Sequence, residues 1–278
     1  MATGTLYIVA TPLGNLGDLT PRAAELLSTV PVVAAEDTRR TRGLLAHLGA
    51  SPKLLSFHAH STDGRTESLL EILAGGRDIA LVSDAGTPVV SDPGAALVSS
   101  VREAGYAVVP IPGVSAVATA LSVSGFEGDR YLFLGFVPRK GTARRRILAH
   151  AAGQEWPTVF FEAANRLVAL LEDLADVAGA DRPASVAREL TKIHEEVRTD
   201  TLGHLAGHFT ATEPRGEITV VLAGTGIPEA PPDRSGEGAT LAAALLEAGV
   251  SRRNVVEQLT TRLGIARNEA YRMVMEQA

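Results

Sequence analysis

Residues 6–35 read LYIVATPLGNLGDLTPRAAELLSTVPVVAA, and this stretch indicates the fold. Apolar residues at Leu6 to Ala10 and at Val32 to Ala35 predict two buried strands. Between them, Thr20 offers a capping oxygen before Pro21, and proline suits the first position of a helix. A strand, a helix and a second strand in this order form a βαβ unit, which is typical of a mostly parallel sheet.

The alternation of strands and helices continues along the chain. Further apolar runs predict strands at Ile79 to Ser83, Val108 to Ile111, Tyr131 to Phe136, Thr158 to Glu162, Ser185 to Leu190 and Glu217 to Ala223. Asp92 and Pro93 predict another helix start. We therefore predict an α/β fold of two lobes, an N-terminal lobe at 1–124 and a C-terminal lobe at 125–226.

The composition changes after the second lobe. Residues 224–238 are rich in Gly, Pro and acidic side chains, so we predict a linker at 227–238 and a helical tail at 239–278. Three short helical segments are predicted in this region, at Leu241 to Ala248, Arg252 to Leu263 and Arg267 to Met275. Their arrangement resembles a helix-turn-helix, and a small packing or dimerisation appendage explains the pattern equally well.

The composition limits the possible functions. With 278 residues, 45% of them hydrophobic, the chain can bury a core of ordinary size. The formal net charge is −6, so nucleic-acid binding must come from local basic patches. The chain has no cysteine, which excludes disulfides, thiolate metal sites and a cysteine nucleophile. We predict no metal site, expect no export signal and no membrane span, and expect a cytoplasmic protein.

Three loops rich in small residues follow predicted strands. They are TPLGNLGD at 11–18, SDAGTP at 83–88 and PGVSA at 112–116. The carboxyl ends of the strands form the usual ligand-binding edge of an open α/β sheet, and small side chains let backbone groups approach a ligand. The first loop matches neither GxGxxG nor a phosphate-binding GKS or GKT loop. Ordinary turn chemistry explains each loop when it is taken alone.

Two polar segments lie beside strands of the second lobe. RELTKIHEE at 188–196 carries more polar residues than a turn needs, and PRGE at 214–217 leads into the last predicted strand. A solvated surface is the alternative explanation for each segment. Neither segment, taken alone, indicates a particular function.

Taken in order, seven blocks of the sequence match one family. The blocks are TPLGNLGDLT, AEDTRRTRGLL, SDAGTPVVSDPG, PGVSAV, FLGFVPRKG, RELTKIHEE and PRGEITVVL. From Thr5 to Ala223 the chain resembles the bacterial cytidine 2′-O-methyltransferases of small-subunit ribosomal RNA, in the tetrapyrrole methylase superfamily. The tail also resembles the carboxy-terminal extension of that family. The resemblance implies S-adenosylmethionine bound between two α/β lobes, 16S rRNA within the 30S subunit as substrate, and a homodimer.

The resemblance also implies which residues bind and react. The expected cofactor contacts are Pro12, Asp84, Ala85, Gly86, Val89, Ser115, Ala116, Phe161, Arg188, Gly216 and Glu217. A ribose hydroxyl is a poor nucleophile while it is protonated, so a base or a nearby cation is useful. The candidates are Glu189, Lys192 and Glu195, with His194 beside them. Alternatively, Glu195 pairs with Lys192 or Arg188 and only shapes the pocket.

Two basic clusters are candidates for contact with RNA phosphates. The first cluster is Arg39, Arg40 and Arg42, and the second is Arg139, Lys140, Arg144, Arg145 and Arg146. We place Arg144, Arg145 and Arg146 on a loop that faces phosphate, and an ordinary solvated helix start is the alternative. Two other functions stay open: methylation of a small tetrapyrrole within the same superfamily, and a noncatalytic nucleotide-binding module.

Overall fold

The computed structural model describes residues 3–58, 63–226, 235–263, 265 and 267–276. The chain divides into two compact units, Met1–Gly226 and Ile227–Ala278. The first unit contains two five-stranded sheets covered by helices, and the described part of the second unit is helical. The predicted α/β fold with a helical carboxy-terminal extension is therefore confirmed.

The first sheet is parallel throughout and has the strand order β3-β2-β4-β1-β5. Its strands are β1 (Thr5–Val9), β2 (Val32–Ala35), β3 (Lys53–Ser56), β4 (Ile79–Val82) and β5 (Ala107–Ile111). The helices that connect them are α1 (Pro21–Thr29), α2 (Thr38–His47), α3 (Asp63–Ala74) and α4 (Ala95–Glu103). Every residue of β2 and β4 is buried, because helices cover both faces of the sheet.

The two predicted helix starts have different outcomes. Thr20 caps α1, since its hydroxyl accepts a hydrogen bond from the Ala23 N–H at 3.2 Å, and Pro21 occupies the first turn as predicted. The prediction that Asp92 caps the next helix is wrong, because α4 begins only at Ala95 and its N-cap is Gly94. A Cβ on Gly94 would lie 2.9 Å from Leu81 Cδ2, so the chain passes too close to the core for any larger residue. Asp92 is thereby free for another role.

The second sheet has the order β6-β7-β10-β8-β9. Its strands are β6 (Leu132–Phe136), β7 (Thr158–Ala163), β8 (Pro183–Arg188), β9 (Glu196–Thr201) and β10 (Glu217–Leu222). The helices of this part are α5 (Ala116–Ser124), α6 (Gly141–Ala152), α7 (Leu167–Ala178) and α8 (Leu202–Ala211). Only β6 and β7 run parallel; the other neighbouring strands are antiparallel.

The two faces of the second sheet are covered differently. Phe160, Val186 and Val220 face the large apolar cluster that α6, α7 and α8 complete. Because side chains alternate along a strand, Val159 and Val221 face the opposite side, where they pack against α5. Helix α5 lies within the predicted first lobe, yet it packs on the second sheet. Burial of its apolar face explains this placement.

The second unit contains α9 (Ser235–Glu247), α10 (Arg252–Leu263) and α11 (Arg267–Glu276). These helices share a small apolar cluster that includes Ala242, Val255, Leu259, Ala270 and Val274. Residues 227–234 of the predicted linker lie outside the described residues, and α9 begins before the predicted linker end at 238. Within the described ranges, no helix is long and apolar enough to cross a membrane.

A fragment that ends at Gly226 is expected to unfold in one cooperative thermal transition, because both sheets and their apolar clusters lie within it. Circular dichroism during heating measures this transition. A control fragment that ends at Arg215 lacks β10, the central strand of the second sheet, so that sheet should not form and the cooperative transition of the longer fragment should be lost. A gradual, noncooperative transition for the longer fragment would contradict the expectation.

Candidate functional site

The three loops predicted from strand ends meet at one edge of the first sheet. Strands β4, β1 and β5 are neighbours and run parallel, so the loops that follow them leave the sheet side by side. The backbones of Thr11 and Gly86 exchange two hydrogen bonds of 2.9 Å, which tie the first loop to the second. The Thr87 hydroxyl donates to the Val114 carbonyl at 3.1 Å, which ties the second loop to the third.

These loops and the second sheet enclose a cavity of about 390 Å³. This volume falls in the range of small-molecule sites. Eight of the predicted cofactor contacts line it: Asp84, Ala85, Gly86, Ser115, Ala116, Phe161, Gly216 and Glu217. We call this cavity the cleft. Its walls come from loops of the first sheet and from strands of the second.

Sequence reasoning missed several residues of the cleft wall, among them Leu13, Val90, Asp92, Phe136 and Leu190. All five lie within or beside blocks that the sequence analysis had already singled out. Phe136 is 59% exposed although it is a large apolar residue, and its ring centroid lies 5.6 Å from that of Phe161. The two rings make one wall of the cleft apolar and aromatic.

Carboxylates make the rest of the cleft electronegative. Asp84, Asp92 and Glu217 all line it, and Glu36 lies close to the first two. Burial raises the pKa of Asp92, and repulsion from Asp84 and Glu217 adds to this, although a hydrogen bond with Ser83 opposes it. Burial likewise raises the pKa of Glu36, helped by repulsion from Asp92 and Asp84. Such a site favours a ligand that carries positive charge.

Lys192 connects two of the polar segments. Its Nζ lies 2.9 Å from Glu189 Oε1 and 3.1 Å from Glu217 Oε2. Partial burial by itself would lower the pKa of Lys192, but the hydrogen bonds and charges of Glu189 and Glu217 raise it overall. Burial would raise the pKa of Glu189, yet the bond from Lys192 lowers it overall. Lys192 is therefore a cation and Glu189 an anion near neutral pH.

Two glycines make room for this ion pair. A Cβ on Gly14 would lie 2.2 Å from Lys192 Cγ, and a Cβ on Gly216 would lie 2.1 Å from Glu189 Oε1. Gly216 also has a φ of +85°, which disfavours any other residue. The loops at Gly14 and Gly216 thus hold the pair between them.

Strained backbone is concentrated in two loops at the cleft. Among the described residues, the non-glycine positions with positive φ are Val89 (76°), Ser91 (67°), Glu189 (51°) and Thr191 (67°). Residues other than glycine rarely adopt this conformation, and a β-branched valine does so least readily. Strain of this kind persists only where the surrounding structure enforces it, and it is concentrated at ligand sites.

The structure corrects the placement of Arg188. It faces Glu196 in the antiparallel register of β8 and β9, and its Nε donates to Glu196 Oε2 at 2.8 Å. The two side chains share a face of the sheet and line a separate polar cavity together with His208 and Arg215. Leu190, two residues further along, reaches the cleft instead.

Five other predicted residues also lie off the cleft wall: Pro12, Val89, Glu189, Lys192 and Glu195. Pro12 lines a small neighbouring cavity that shares Leu13 and Asp84 with the cleft. Val89 packs against the apolar core of the first sheet. Glu195 accepts a hydrogen bond from the Thr191 N–H, so its carboxylate closes the turn that carries Lys192.

The structure also corrects the placement of Arg144. This residue lies inside α6 and is 8% exposed, so it does not sit on a loop that faces phosphate. Its Nε donates to Asp173 Oδ2 at 2.6 Å, and its Nη atoms donate to the carbonyls of Pro138 and Ala169. Arg144 is a buried structural residue because its helical position directs it towards α7.

The other predicted RNA contacts divide into cations that have an ion pair with a described residue and cations that have none. Arg39 binds Asp37 through two side-chain hydrogen bonds of 2.7 and 3.1 Å. Arg40 lies 3.6 Å from Asp84 and 3.8 Å from Glu217, between the two lobes. Lys140, Arg145 and Arg146 are exposed, and no ion pair within the described ranges involves them.

Comparison with known proteins defines the class. The model of the tetrapyrrole (corrin/porphyrin) methylase family matches residues 5–206. Among solved structures, a cobalt precorrin-4 methyltransferase aligns with a TM-score of 0.60 and 17% identity, over 79% of this chain and 94% of that one. This is a likeness of fold. The chain is a methyltransferase of this fold class.

Curated relatives narrow the class further. A ribosomal RNA small subunit methyltransferase I from Synechocystis sp. is 44% identical over 274 residues, which is 98% of each chain. A protein of the same name from Escherichia coli O157:H7 is 40% identical over 276 residues, 99% of this chain and 96% of that one. The chain therefore belongs to the tetrapyrrole methylase family, within the group of the ribosomal RNA small subunit methyltransferase I proteins.

Proposed function

We propose that this protein transfers a methyl group from S-adenosylmethionine to the ribose 2′-hydroxyl of a cytidine in the 16S rRNA of the small ribosomal subunit. The observation that supports it most is the identity of 40% or more, over nearly the whole chain, with relatives named ribosomal RNA small subunit methyltransferase I. The cleft supplies a second, independent argument, because its chemistry suits the cofactor.

The residues of the cleft fit S-adenosylmethionine. Gly86 lines the cleft with a φ of +79°, and because it has no side chain its backbone can approach a ligand closely. Asp84 and Glu217, which also contact Arg40, contribute negative charge near the positive groups of the cofactor, and Phe161 offers an apolar surface. When bound, the cofactor supplies a methyl group activated by a positively charged sulfonium, for which the neutral thioether is the good leaving group.

The residues of the chain position the hydroxyl and take up its proton. A hydroxyl that accepted the methyl group would have to lose its proton, so the chain must offer a base at the cleft. We assign this proton to Asp92, because it lines the cleft and its raised pKa makes it a stronger base than an ordinary carboxylate. Glu189 is a weaker choice because its pKa is lowered. Lys192, held between Glu189 and Glu217, fixes the wall in place.

The proposal extends to the setting of the reaction. We infer that the protein acts on the 30S subunit in the cytoplasm and works as a homodimer, as the family resemblance implies. Lys140, Arg145 and Arg146 are the exposed cations that we assign to the RNA phosphates around the target ribose.

Labelled S-adenosylmethionine, incubated with the protein and either 30S particles or a tetrapyrrole, tests the function. Label is expected in 16S rRNA, at a linkage that resists alkaline hydrolysis because this cleavage needs a free 2′-hydroxyl. Label on a base would contradict the proposed position. Label on the tetrapyrrole without transfer to RNA would overturn the proposed function.

Replacing Gly216 with alanine is expected to lower methyl transfer by about 100-fold, because the added Cβ displaces Glu189 and the wall of the cleft shifts by about 1 Å. Gly141→Ala is a matched control: Gly141 has the same φ of +85°, and a Cβ there meets nothing within 4 Å. Both variants carry the same backbone strain. Equal losses in initial rate for the two would show that strain alone, and not the position of Glu189, matters.

Neutralising Arg145 and Arg146 together is expected to weaken binding of 30S particles and to reduce the slope of log affinity against log salt concentration by up to about one unit per lost phosphate contact. The affinity for S-adenosylmethionine, measured by calorimetry, should stay unchanged. The exposed Arg22 and Arg77 of the first lobe provide the matched double control. An unchanged salt slope would remove these residues from the RNA surface.

A further inference from the structure

The second unit has a groove between α10 and α11 whose described charged side chains are all positive. The groove has a volume of about 460 Å³, and its lining includes Arg252, Arg253, Arg267, Asn268, Tyr271 and Met275. Among the residues whose side chains the structure describes, no carboxylate lines it. The whole chain has a net charge of −6, so this is a local concentration of positive charge against an acidic background.

The arginines of the groove are available to a ligand. Arg252, Arg253 and Arg267 are all exposed, and none has an ion pair or hydrogen bond from its side chain to another described residue. Unpaired, neighbouring guanidinium groups repel one another, so they do not stabilise the fold by their charge. An anionic ligand would relieve this repulsion, and arginine matches phosphate particularly well.

Helix α11 adds a stacking surface to these charges. Ala270, Met273 and Val274 face the apolar cluster of the second unit, which turns Tyr271 and Met275 outwards. Tyr271 is 61% exposed and Met275 is 46% exposed. Proteins bind single-stranded nucleic acids through exposed aromatic rings beside cationic side chains, because the bases stack on the ring while the phosphates contact the cations.

We propose that this groove is a binding site for single-stranded RNA, with Arg252, Arg253 and Arg267 on the phosphates and Tyr271 stacked on a base. This inference extends the proposed function. It rests on that function in one respect, which is that RNA is the ligand. An acidic protein would pair with the arginines of the groove but would gain little from contact with the ring of Tyr271. A duplex would keep its bases stacked within itself and offer none to Tyr271.

The test measures binding of the full-length protein to a labelled single-stranded oligoribonucleotide of 12 bases by fluorescence anisotropy. The triple variant Arg252→Ala, Arg253→Ala, Arg267→Ala is expected to bind at least about 10-fold more weakly at low salt. Its slope of log affinity against log salt should fall by about 2, since each contact with single-stranded nucleic acid contributes about 0.7. The double variant Arg262→Ala, Arg272→Ala is the control, because both residues are exposed arginines outside the groove, and its effect is compared with that of Arg252→Ala, Arg253→Ala, which removes the same number of charges.

The tyrosine provides the second arm. Tyr271→Ala is expected to weaken binding by about fivefold or more without changing the salt slope, and Tyr271→Phe should retain the affinity because the ring remains. Polyglutamate and an RNA duplex of equal length serve as competing ligands. Equal effects of the two double variants would overturn the proposal. So would an unchanged affinity in Tyr271→Ala, or polyglutamate that competes as well as single-stranded RNA.

The outcome separates this inference from the proposed function. If the parent methylates 16S rRNA while the groove variants bind the oligoribonucleotide normally, only the inference fails. If the groove variants lose affinity while the parent transfers no label to RNA, only the proposed reaction fails. Thermal unfolding of each variant confirms that the second unit is intact.

Discussion

Asp92→Asn is expected to lower the rate of methyl transfer by about 10²-fold to 10⁴-fold, the usual contribution of a general base. Asparagine has nearly the same shape as aspartate, so the loop between β4 and α4 should keep its conformation. It cannot take a proton at neutral pH, and the hydroxyl would have to lose its proton to solvent. Initial rates with 30S particles measure the loss, and calorimetry should show that the affinity for S-adenosylmethionine is largely retained.

The pH dependence gives this prediction a specific signature. Burial, with repulsion from Asp84 and Glu217, raises the pKa of Asp92 above the ordinary range for a carboxyl group. Only the ionised carboxylate acts as a base, so the rate of the parent should fall as the pH drops through this raised pKa, and Asp92→Asn should lack that fall. Asp129→Asn, at an exposed carboxylate outside the cleft, is the control. A rate for Asp92→Asn within threefold of the control would exclude Asp92 as the base.

Arg144→Ala is expected to lower the free energy of unfolding by about 3 kcal/mol, the lower end of the range for a broken buried ion pair. The side chain is 9% exposed and joins Asp173 at 2.6 Å, while its partner is 45% exposed and can regain water. The variant also leaves the Pro138 and Ala169 carbonyls without their donor. Urea unfolding followed by circular dichroism measures the loss.

The neighbouring arginine gives a matched control for this stability prediction. Arg145 lies on the same helix but is exposed, so Arg145→Ala should change the free energy of unfolding by no more than about 0.5 kcal/mol. Arg144→Lys keeps the charge but loses the forked donor geometry, and an intermediate loss is expected. If Arg144→Ala proved as stable as Arg145→Ala, the buried network would have no role in stability.

The network around Arg144 also bears on the cleft. Glu162 is fully buried, accepts a hydrogen bond from Arg166 at 2.9 Å and lies 3.9 Å from Arg144. Arg166 donates in addition to the Val137 carbonyl, and Arg144 to the Pro138 carbonyl. These bonds fix the backbone at Val137 and Pro138, directly after Phe136, and Phe136 lines the cleft. The loss of Arg144 should therefore reduce activity as well as stability, through the position of this backbone segment.

Local sequence patterns were sufficient for most of the fold. Strands such as VVAA at 32–35 and IALV at 79–82 are buried on both faces, and their continuous apolar runs reveal them. The two strands that sequence analysis missed, β3 and β9, lie at the edges of their sheets. β9 reads EVRTDT and is largely solvated, so it shows no apolar run to detect. Its strand conformation depends on hydrogen bonds with β8, which are not encoded in its own side-chain pattern.

The loops of the candidate site could also be located from local sequence patterns. The segments at 11–18, 83–88 and 112–116 were located because each follows a strand, and the carboxyl ends of parallel strands share one edge of a sheet. The cleft residues Asp84, Gly86 and Ser115 could be predicted for this reason, with the family resemblance. Asp92 could not, because Asp-Pro is also a good helix start and only the tight approach of Gly94 to the core moves the helix onwards.

Sequence alone was enough for most of the strands, helices and loops, because these depend on hydrophobic periodicity and turn chemistry between near neighbours. Only the tertiary structure decided what each charged side chain does. Arg188 and Arg144 looked like site residues in sequence, but strand register pairs the first with Glu196, and its helix face turns the second towards Asp173. Electrostatic interactions depend on distances between groups 8 and 29 positions apart in the chain, and folding sets those distances.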